Sequence, residues 1–314
     1  MLQPFKLAPT YRDYVWGGTR LRPDTEITAE AWVVYEGNTI LNGPFKGRTL
    51  SEAAEAEGTN LLGSKSVAQT GTRFPLLIKL LDCAQWLSLQ VHPNDSQAEQ
   101  LEGPGHFGKT EAWYVVEAEE GAQLLSGFRT GVTQEDIRKA VGNKTILDLV
   151  EHREVQPGDT LFMSPGTIHA LGPGLLIYEV QQTSDLTYRV YDWDRPMTGR
   201  RVLHIDQAIQ TLNPDASGEV QPGNLDTQNT RRENLLSCDY FSLDLIAGQS
   251  GFVAVDNRGE TFSALTVLEG QVEVQGEDWN LGLNKFESCL VPANASQYSV
   301  ELSEPVRALL AYVP

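Results

Sequence analysis

Residues 87–95 read LSLQVHPND: apolar Leu87, Leu89 and Val91 alternate with polar Ser88, Gln90 and His92 until Pro93-Asn94-Asp95 ends the run. Side chains along a strand point to opposite faces with period two. As a strand, this segment packs Leu87, Leu89 and Val91 on one side and lines the other with a hydroxyl, an amide and an imidazole. The fold turns on what that polar face meets.

Outward from this stretch the chain is strand-rich. Short apolar or alternating runs recur at 75–81 (PLLIKLL), 111–116 (EAWYVV), 160–164 (TLFMS), 175–182 (LLIYEVQQ) and 186–193 (LTYRVYDW). Gly103-Pro104-Gly105, Pro157-Gly158-Asp159 and Gly172-Pro173-Gly174 punctuate them as turns. Many short strands of this kind predict an antiparallel sandwich or barrel, a mainly β fold. Helices are expected after Ser51 (52–63), over 133–154 with Thr133 and Asp136 at cap spacing, and near His204. The 133–154 segment reads as a helical insertion between strands. Residues 213–230 are polar and rich in Gly, Pro and Asn, which predicts a linker.

Behind that linker the middle of the chain repeats itself weakly. EAWYVVEAEEGAQL and VQPGDTLFMSPGTIHAL (within 111–171) share their order of features with SALTVLEGQVEV and LGLNKFESCLVPANASQYSV (within 263–300). Two related β-barrels follow, in domains 1–230 and 231–314. In the second copy about Ser296 stands where the first has His169, and no acid matches Glu111. Any chemistry therefore belongs to the first domain.

Composition narrows the function. The chain has 314 residues, 40% hydrophobic and 21% charged, as in ordinary globular proteins. A formal charge of −18 argues against nucleic-acid and anionic-membrane partners, which need a basic surface. No signal-peptide h-region or membrane-length apolar run is present, so a cytoplasmic location is expected. Three dispersed cysteines, Cys83, Cys238 and Cys289, argue against a disulfide framework and fit a reducing compartment.

Only five histidines occur, so their placement carries weight. A lone buried histidine is more often a hydrogen-bonded core residue than a ligand. His92, His169 and Glu111 together supply the nitrogen–nitrogen–oxygen set that Zn²⁺ or Fe²⁺ takes up, and Gln90 adds a neutral oxygen. Lys79, Lys109 and Arg189 are each compatible with a solvated surface position. Three cations in one candidate barrel of so acidic a chain would suit a phosphorylated or carboxylated ligand.

The segments PLLIKLLDCAQWLSLQVHPND (75–95), GKTEAWYVV (108–116) and GTIHALGPGLLIYEVQQTSDLTYRVYDWDR (166–195) resemble the type I mannose-6-phosphate isomerases, which are zinc-dependent cupins. YVWGGTRL (14–21), AEAW (29–32) and RRENLLSCDYFSLDLI (231–246) extend the resemblance over nearly the whole chain, with the short bacterial form matching best. AEAW, where many relatives carry Ser after the Glu, and YDWDR, where Gly often precedes the Arg, depart slightly from the family pattern. The resemblance implies two jelly-roll (cupin) barrels, the second without metal ligands, and one Zn²⁺ per chain on Gln90, His92, Glu111 and His169. It implies a sugar-phosphate substrate, with Lys79 and Ser88 toward the phosphate. It also implies a cavity containing Lys109, Glu179, Asp185 and Arg189.

The reaction so implied interconverts mannose 6-phosphate and fructose 6-phosphate through a cis-enediol(ate). Arg189, oriented by Asp185, is expected to meet the developing negative charge. Lys109, Glu179 and Asp185 are all chemically able to act as the base. A cupin dioxygenase and a non-catalytic sugar-binding regulator are the alternatives, and a coupled isomerase assay with and without chelator separates the three. Monomer and homodimer both remain open.

Overall fold

The structure is a computed structural model, described for residues 1–22, 27–197 and 201–314. It is mainly β, with twenty-two strands, five α-helices and one 3₁₀-helix among the described residues. None of these helices is long and apolar enough to cross a membrane. All three cysteines are free.

The chain forms two compact units that interleave along the sequence. One comprises Met1–Tyr11, Ala31–Lys79 and Leu225–Pro314; the other comprises Arg12–Glu30 and Leu80–Asn224. Division by packing thus differs from the contiguous split at 230: residues 31–79 are grouped with the C-terminal strands, and the chain changes unit within the strand Leu76–Cys83.

In the second unit, one antiparallel sheet runs in the order Tyr188–Tyr191, Leu89–Val91, His169–Leu171, Gln123–Phe128, Val150–Glu154. In another sheet, Glu111–Ala118 lies between Thr160–Met163 and Leu175–Gln182, antiparallel to both. Trp113, Val115, Leu161, Met163, Leu175 and Ile177 of this sheet meet Leu124 and Leu171 of the first in one buried cluster. Burial of that much apolar surface between two sheets is the dominant stabilising term for such a unit.

The outer face of the five-stranded sheet is apolar too. Leu89, Val91, Leu125, Ala170 and Val190 pack with Ile137 and Ala140 of the helix Gln134–Asn143 and Ala208 of the helix Ile205–Thr211. The alternation in 87–95 therefore orients Leu89 and Val91 as expected. Leu87 differs: the strand begins only at Leu89, and Leu87 joins the interior cluster instead.

Helix ends follow capping chemistry. Thr133 caps Gln134–Asn143 and shares a capping box with Asp136, as its spacing predicts. Periodicity misleads beyond it, because Lys144 at φ 60° stops the helix, Ile146–Leu149 is a 3₁₀ turn, and Val150–Glu154 is a strand beside Gln123–Phe128. The helix expected after Ser51 is Leu50–Glu57, capped by Thr49 with Glu52; Gly58 closes it and Thr59–Thr70 follows. One helix was not expected: Asp95–Glu102, capped by Asn94 with Gln97. Within 213–230, Val220–Gln221 pairs with the strand Thr160–Met163.

In the first unit, a sheet of six strands includes Ser242–Gly248, Ser263–Glu269, Ser288–Val291 and Val306–Tyr312. Gly251–Asp256, Gln297–Leu302, Gln271–Gln275 and Asn280–Asn284 make a sheet of four. Val253, Val272, Val274 and Val300 of the smaller sheet share one cluster with Leu265, Val267 and Leu310 of the larger. This interior is mostly aliphatic, with Cys289 and Tyr298 among its buried side chains.

The Trp16-Gly17-Gly18 turn is fixed by an ion pair. Asp82 is 1% exposed and takes Arg20 Nε at 2.7 Å, the Arg20 amide at 2.7 Å and Arg20 Nη2 at 2.6 Å. Arg20 also donates to Leu175 O, and Trp16 sits in the interior cluster. A Cβ on Gly18 would lie 2.4 Å from Asp82 Oδ2, so only glycine lets the turn close on this carboxylate. Gly18→Ala is expected to lower unfolding free energy by about 1–3 kcal/mol. A urea melt measures this, and an unchanged midpoint would show that the turn yields.

Candidate active site

Strand register builds the site. His169 pairs across the sheet with Gln90 on one side and Ser126 on the other, and Arg189 pairs with Gln90 from the edge strand. Directly paired residues project to the same face, so Arg189, Gln90, His169 and Ser126 form one transverse row. His92, two residues beyond Gln90, extends the polar face along the chain. Glu111 opens its strand in the other sheet, paired with Met163 and Gln181.

The side chains converge. His169 Nε2 is 3.3 Å from Glu111 Oε1, His92 Nε2 is 3.6 Å from Glu111 Oε2, and Gln90 Nε2 is 3.3 Å from His169 Nε2. Donor atoms of His92, Glu111 and His169 all lie within 4.8 Å of one another, and no more than 2% of any of the three residues is exposed.

Backbone carbonyls set both tautomers. His92 Nδ1 donates to Leu186 O at 2.7 Å and His169 Nδ1 to Thr167 O at 2.9 Å. A carbonyl only accepts, so each ring carries its hydrogen on Nδ1 and turns Nε2 toward Glu111. Burial, then the charge of Lys109, lowers the pKa of His169 to about 4, which leaves its Nε2 a bare lone pair at neutral pH. That nitrogen faces a carboxylate oxygen at 3.3 Å and the Gln90 amide nitrogen at 3.3 Å, an arrangement that a cation among these groups would stabilise.

The Lys109 ammonium supplies one such charge, as a stand-in cation. It donates to Glu111 Oε2, lies 3.2 Å from His92 Nε2 and stands 3.7 Å from Glu179 Oε1. Glu179 is itself held through Oε2 by the Trp113 indole at 3.0 Å. Two buried imidazoles, a buried carboxylate and the half-buried Gln90 amide beside them are a donor set that fits a divalent metal of zinc type. Ser88 Oγ donates to Gln90 Oε1 at 3.3 Å. A hydroxyl also accepts, so Ser88 can support the amide after a flip that turns its oxygen to the donors.

A family model described as phosphomannose isomerase type I, catalytic domain, matches residues 4–122. A mannose-6-phosphate isomerase of Bacillus subtilis is 32% identical over 311 residues, covering 95% of this chain and 96% of its own. One of Streptococcus mutans is 36% identical over 255 residues, with 77% and 78% covered. The chain belongs to the type I mannose-6-phosphate isomerase family. A crystal structure of the mannose 6-phosphate isomerase from Bacillus subtilis superposes with a TM-score of 0.84 at 29% identity, covering 99% of both chains. Membership makes this protein an isomerase.

Of the residues that the family resemblance named, the structure brings Gln90, His92, Glu111, His169, Lys109 and Glu179 together and puts Ser88 against Gln90. Arg189 is in the same row; its Nε is buried and donates to no group among the described residues. Burial, then Arg201, pulls its pKa below the ordinary guanidinium value, with Asp192 and Asp185 opposing. Asp185 is exposed on the loop before that strand. Lys79, grouped with the first unit, is 3% exposed with its ammonium 5.3 Å from the centre of the Trp32 ring. Sequence reasoning missed Trp113, although it lies two residues from Glu111 on the same strand face. It also missed His204, whose Nδ1 accepts from the Arg189 amide at 3.3 Å.

Two substitutions test the donor set. His169→Ala is expected to abolish stoichiometric metal retention after dialysis. Ser88→Ala is expected to weaken it about tenfold, as loss of a ligand's outer hydrogen bond does. Metal analysis of the dialysed proteins measures both.

Proposed function

We propose that the chain interconverts mannose 6-phosphate and fructose 6-phosphate with one Zn²⁺ held by Gln90, His92, Glu111 and His169. The observation that carries this is the buried convergence of His92, Glu111 and His169 beside Lys109 and Glu179 in a chain of this family. The fold reading that goes with it is two jelly-roll barrels of cupin type. All the catalytic residues then belong to domain 1–230, and domain 231–314, with its mostly aliphatic interior, carries no ligands. A cytoplasmic setting suits a sugar phosphate.

Aldose–ketose isomerisation moves a proton between C2 and C1 while charge develops on O1 and O2 of a cis-enediol(ate). When bound, the zinc supplies Lewis-acid stabilisation of that charge. The protein's own groups do the rest. Arg189, whose Nε–H is buried and uncommitted, is placed to donate to the developing oxyanion, with Asp185 holding its charge in register. Glu179, locked through Oε2 by Trp113, presents Oε1 toward Lys109 Nζ. In this couple the carboxylate can take the proton from C2 and return it to C1, while the ammonium gives a proton to O1 and regains one from the O2 hydroxyl, so that protons balance. Lys79 and Ser88 are assigned to the phosphate end. The apolar cluster around Trp113, Leu161 and Ile177 closes the other end of the interior to water, which strengthens each electrostatic contact.

In a coupled assay from mannose 6-phosphate, the protein is expected to form fructose 6-phosphate, to stop with chelator and to recover with zinc. Lys109→Ala and Arg189→Ala are each expected to keep zinc and lose about 10²- to 10⁴-fold in turnover. Near-normal turnover in either variant with full zinc removes that residue's role. An inactive wild type with full zinc removes the assignment of substrate.

A further inference from the structure

The backbone that carries Lys109 is held at every residue from Phe107 to Thr110. Phe107 O accepts from Ser184 Oγ at 2.8 Å, and Gly108 N donates to Asp95 Oδ1 at 2.7 Å. Lys109 N donates to Pro93 O at 2.9 Å, and Thr110 N donates to Gln182 Oε1 at 2.9 Å. Thr110 O accepts from Gln182 N at 3.1 Å. A second bond joins the two clamps, from Gln182 Nε2 to Asp95 Oδ1 at 3.0 Å. Gly108 permits the close approach, since a Cβ there would lie 2.5 Å from Asn94 C.

Lysine ends in a compact charge on a flexible four-carbon stem, so its ammonium is placed only as well as its backbone. Here that ammonium must sit among Glu111, His92 and Glu179 at once. Gln182 is 5% exposed, and both ends of its carboxamide are used on Thr110 and Asp95. Asp95 also opens the helix Asp95–Glu102, which ties the clamp to a rigid element shortly after the strand Leu89–Val91 and His92.

We propose that Gln182 and Asp95 are positioning residues for the isomerisation, fixing the Lys109 backbone so that its ammonium meets the reacting region. This rests on the isomerase reading above. Gln182→Glu keeps the acceptor for Thr110 N but replaces the donor to Asp95 with a second carboxylate oxygen, so the clamp opens by repulsion. Both bonds fall on Asp95 Oδ1, so adding Asp95→Asn removes the repulsion and lets the amide turn its nitrogen to the new carboxylate, at the expense of the Gly108 bond.

The experiment compares zinc-loaded wild type, Gln182→Glu and the double variant. Gln182→Glu is expected to lower kcat about 10- to 100-fold, the penalty of a misplacement near 1 Å, with KM within about twofold and zinc content unchanged. The double variant, which regains the contact with residue 182 but not the Gly108 bond, is expected to recover part of the loss. Normal kcat in the single variant, a loss the double variant does not recover, or a parallel fall in zinc and KM would each overturn the proposal. Amide hydrogen exchange across residues 107–111 keeps the test independent of turnover. It should quicken in Gln182→Glu and slow again at Thr110 in the double variant. An inactive wild type would remove the proposed reaction, and unchanged exchange would remove the clamp.

Discussion

Two imidazoles, each with its Nδ1–H taken by a backbone carbonyl, and a carboxylate are held face to face in a dry interior, and most of the second unit serves that constraint. Such an arrangement is unfavourable unless a positive charge lies between the groups. Nothing in His92, His169 or Glu111 alone enforces the geometry. The Leu186 and Thr167 carbonyls do, by taking the Nδ1 hydrogens and so aiming each Nε2 inward. Lys109 satisfies part of the demand for positive charge, and the donor chemistry suits a divalent metal for the rest.

Strand alternation makes this affordable in folding terms. Along Glu111–Ala118 the inward positions run Glu111, Trp113, Val115, and along His169–Leu171 they run His169, Leu171. Each strand is thus polar at one end of the interior and apolar at the other. Trp113 spans the change: its ring packs in the cluster and stands edge-on to His169 at 5.3 Å, while its indole N–H fixes Glu179. Stability and chemistry are drawn from the same few strands, and short helices cover the outer face of the five-stranded sheet.

Much of this could be read in the residues before any coordinates. Period two in LSLQVHPND placed Gln90 and His92 together, and the strands at 111–116, 160–164 and 175–182 were marked by composition and turns. What single-sequence patterns do not carry is pairing over long separations. Gln90 meets His169 across 79 positions and Trp113 meets Glu179 across 66, and register, not local propensity, decides both. The family resemblance named Gln90, His169 and Glu179 but not Trp113; only the pairing shows why they converge. Other misses were local. Asn94 and Gln97 form a capping box that was overlooked because Pro93 read as a stop. Val150–Glu154 kept a helical rhythm but follows the left-handed Lys144 and takes the open edge beside Gln123–Phe128. Gln182 gave no signal, since a glutamine that clamps backbone looks the same in sequence as one facing solvent.

The central claim is that the metal is held by these donors and no others. X-ray absorption at the zinc edge of the zinc-loaded protein tests it most directly. The account predicts one zinc per chain with only nitrogen and oxygen neighbours at about 2.0–2.2 Å and the multiple-scattering pattern of two imidazoles. A sulfur neighbour at about 2.3 Å, or a shell without imidazole, would contradict it.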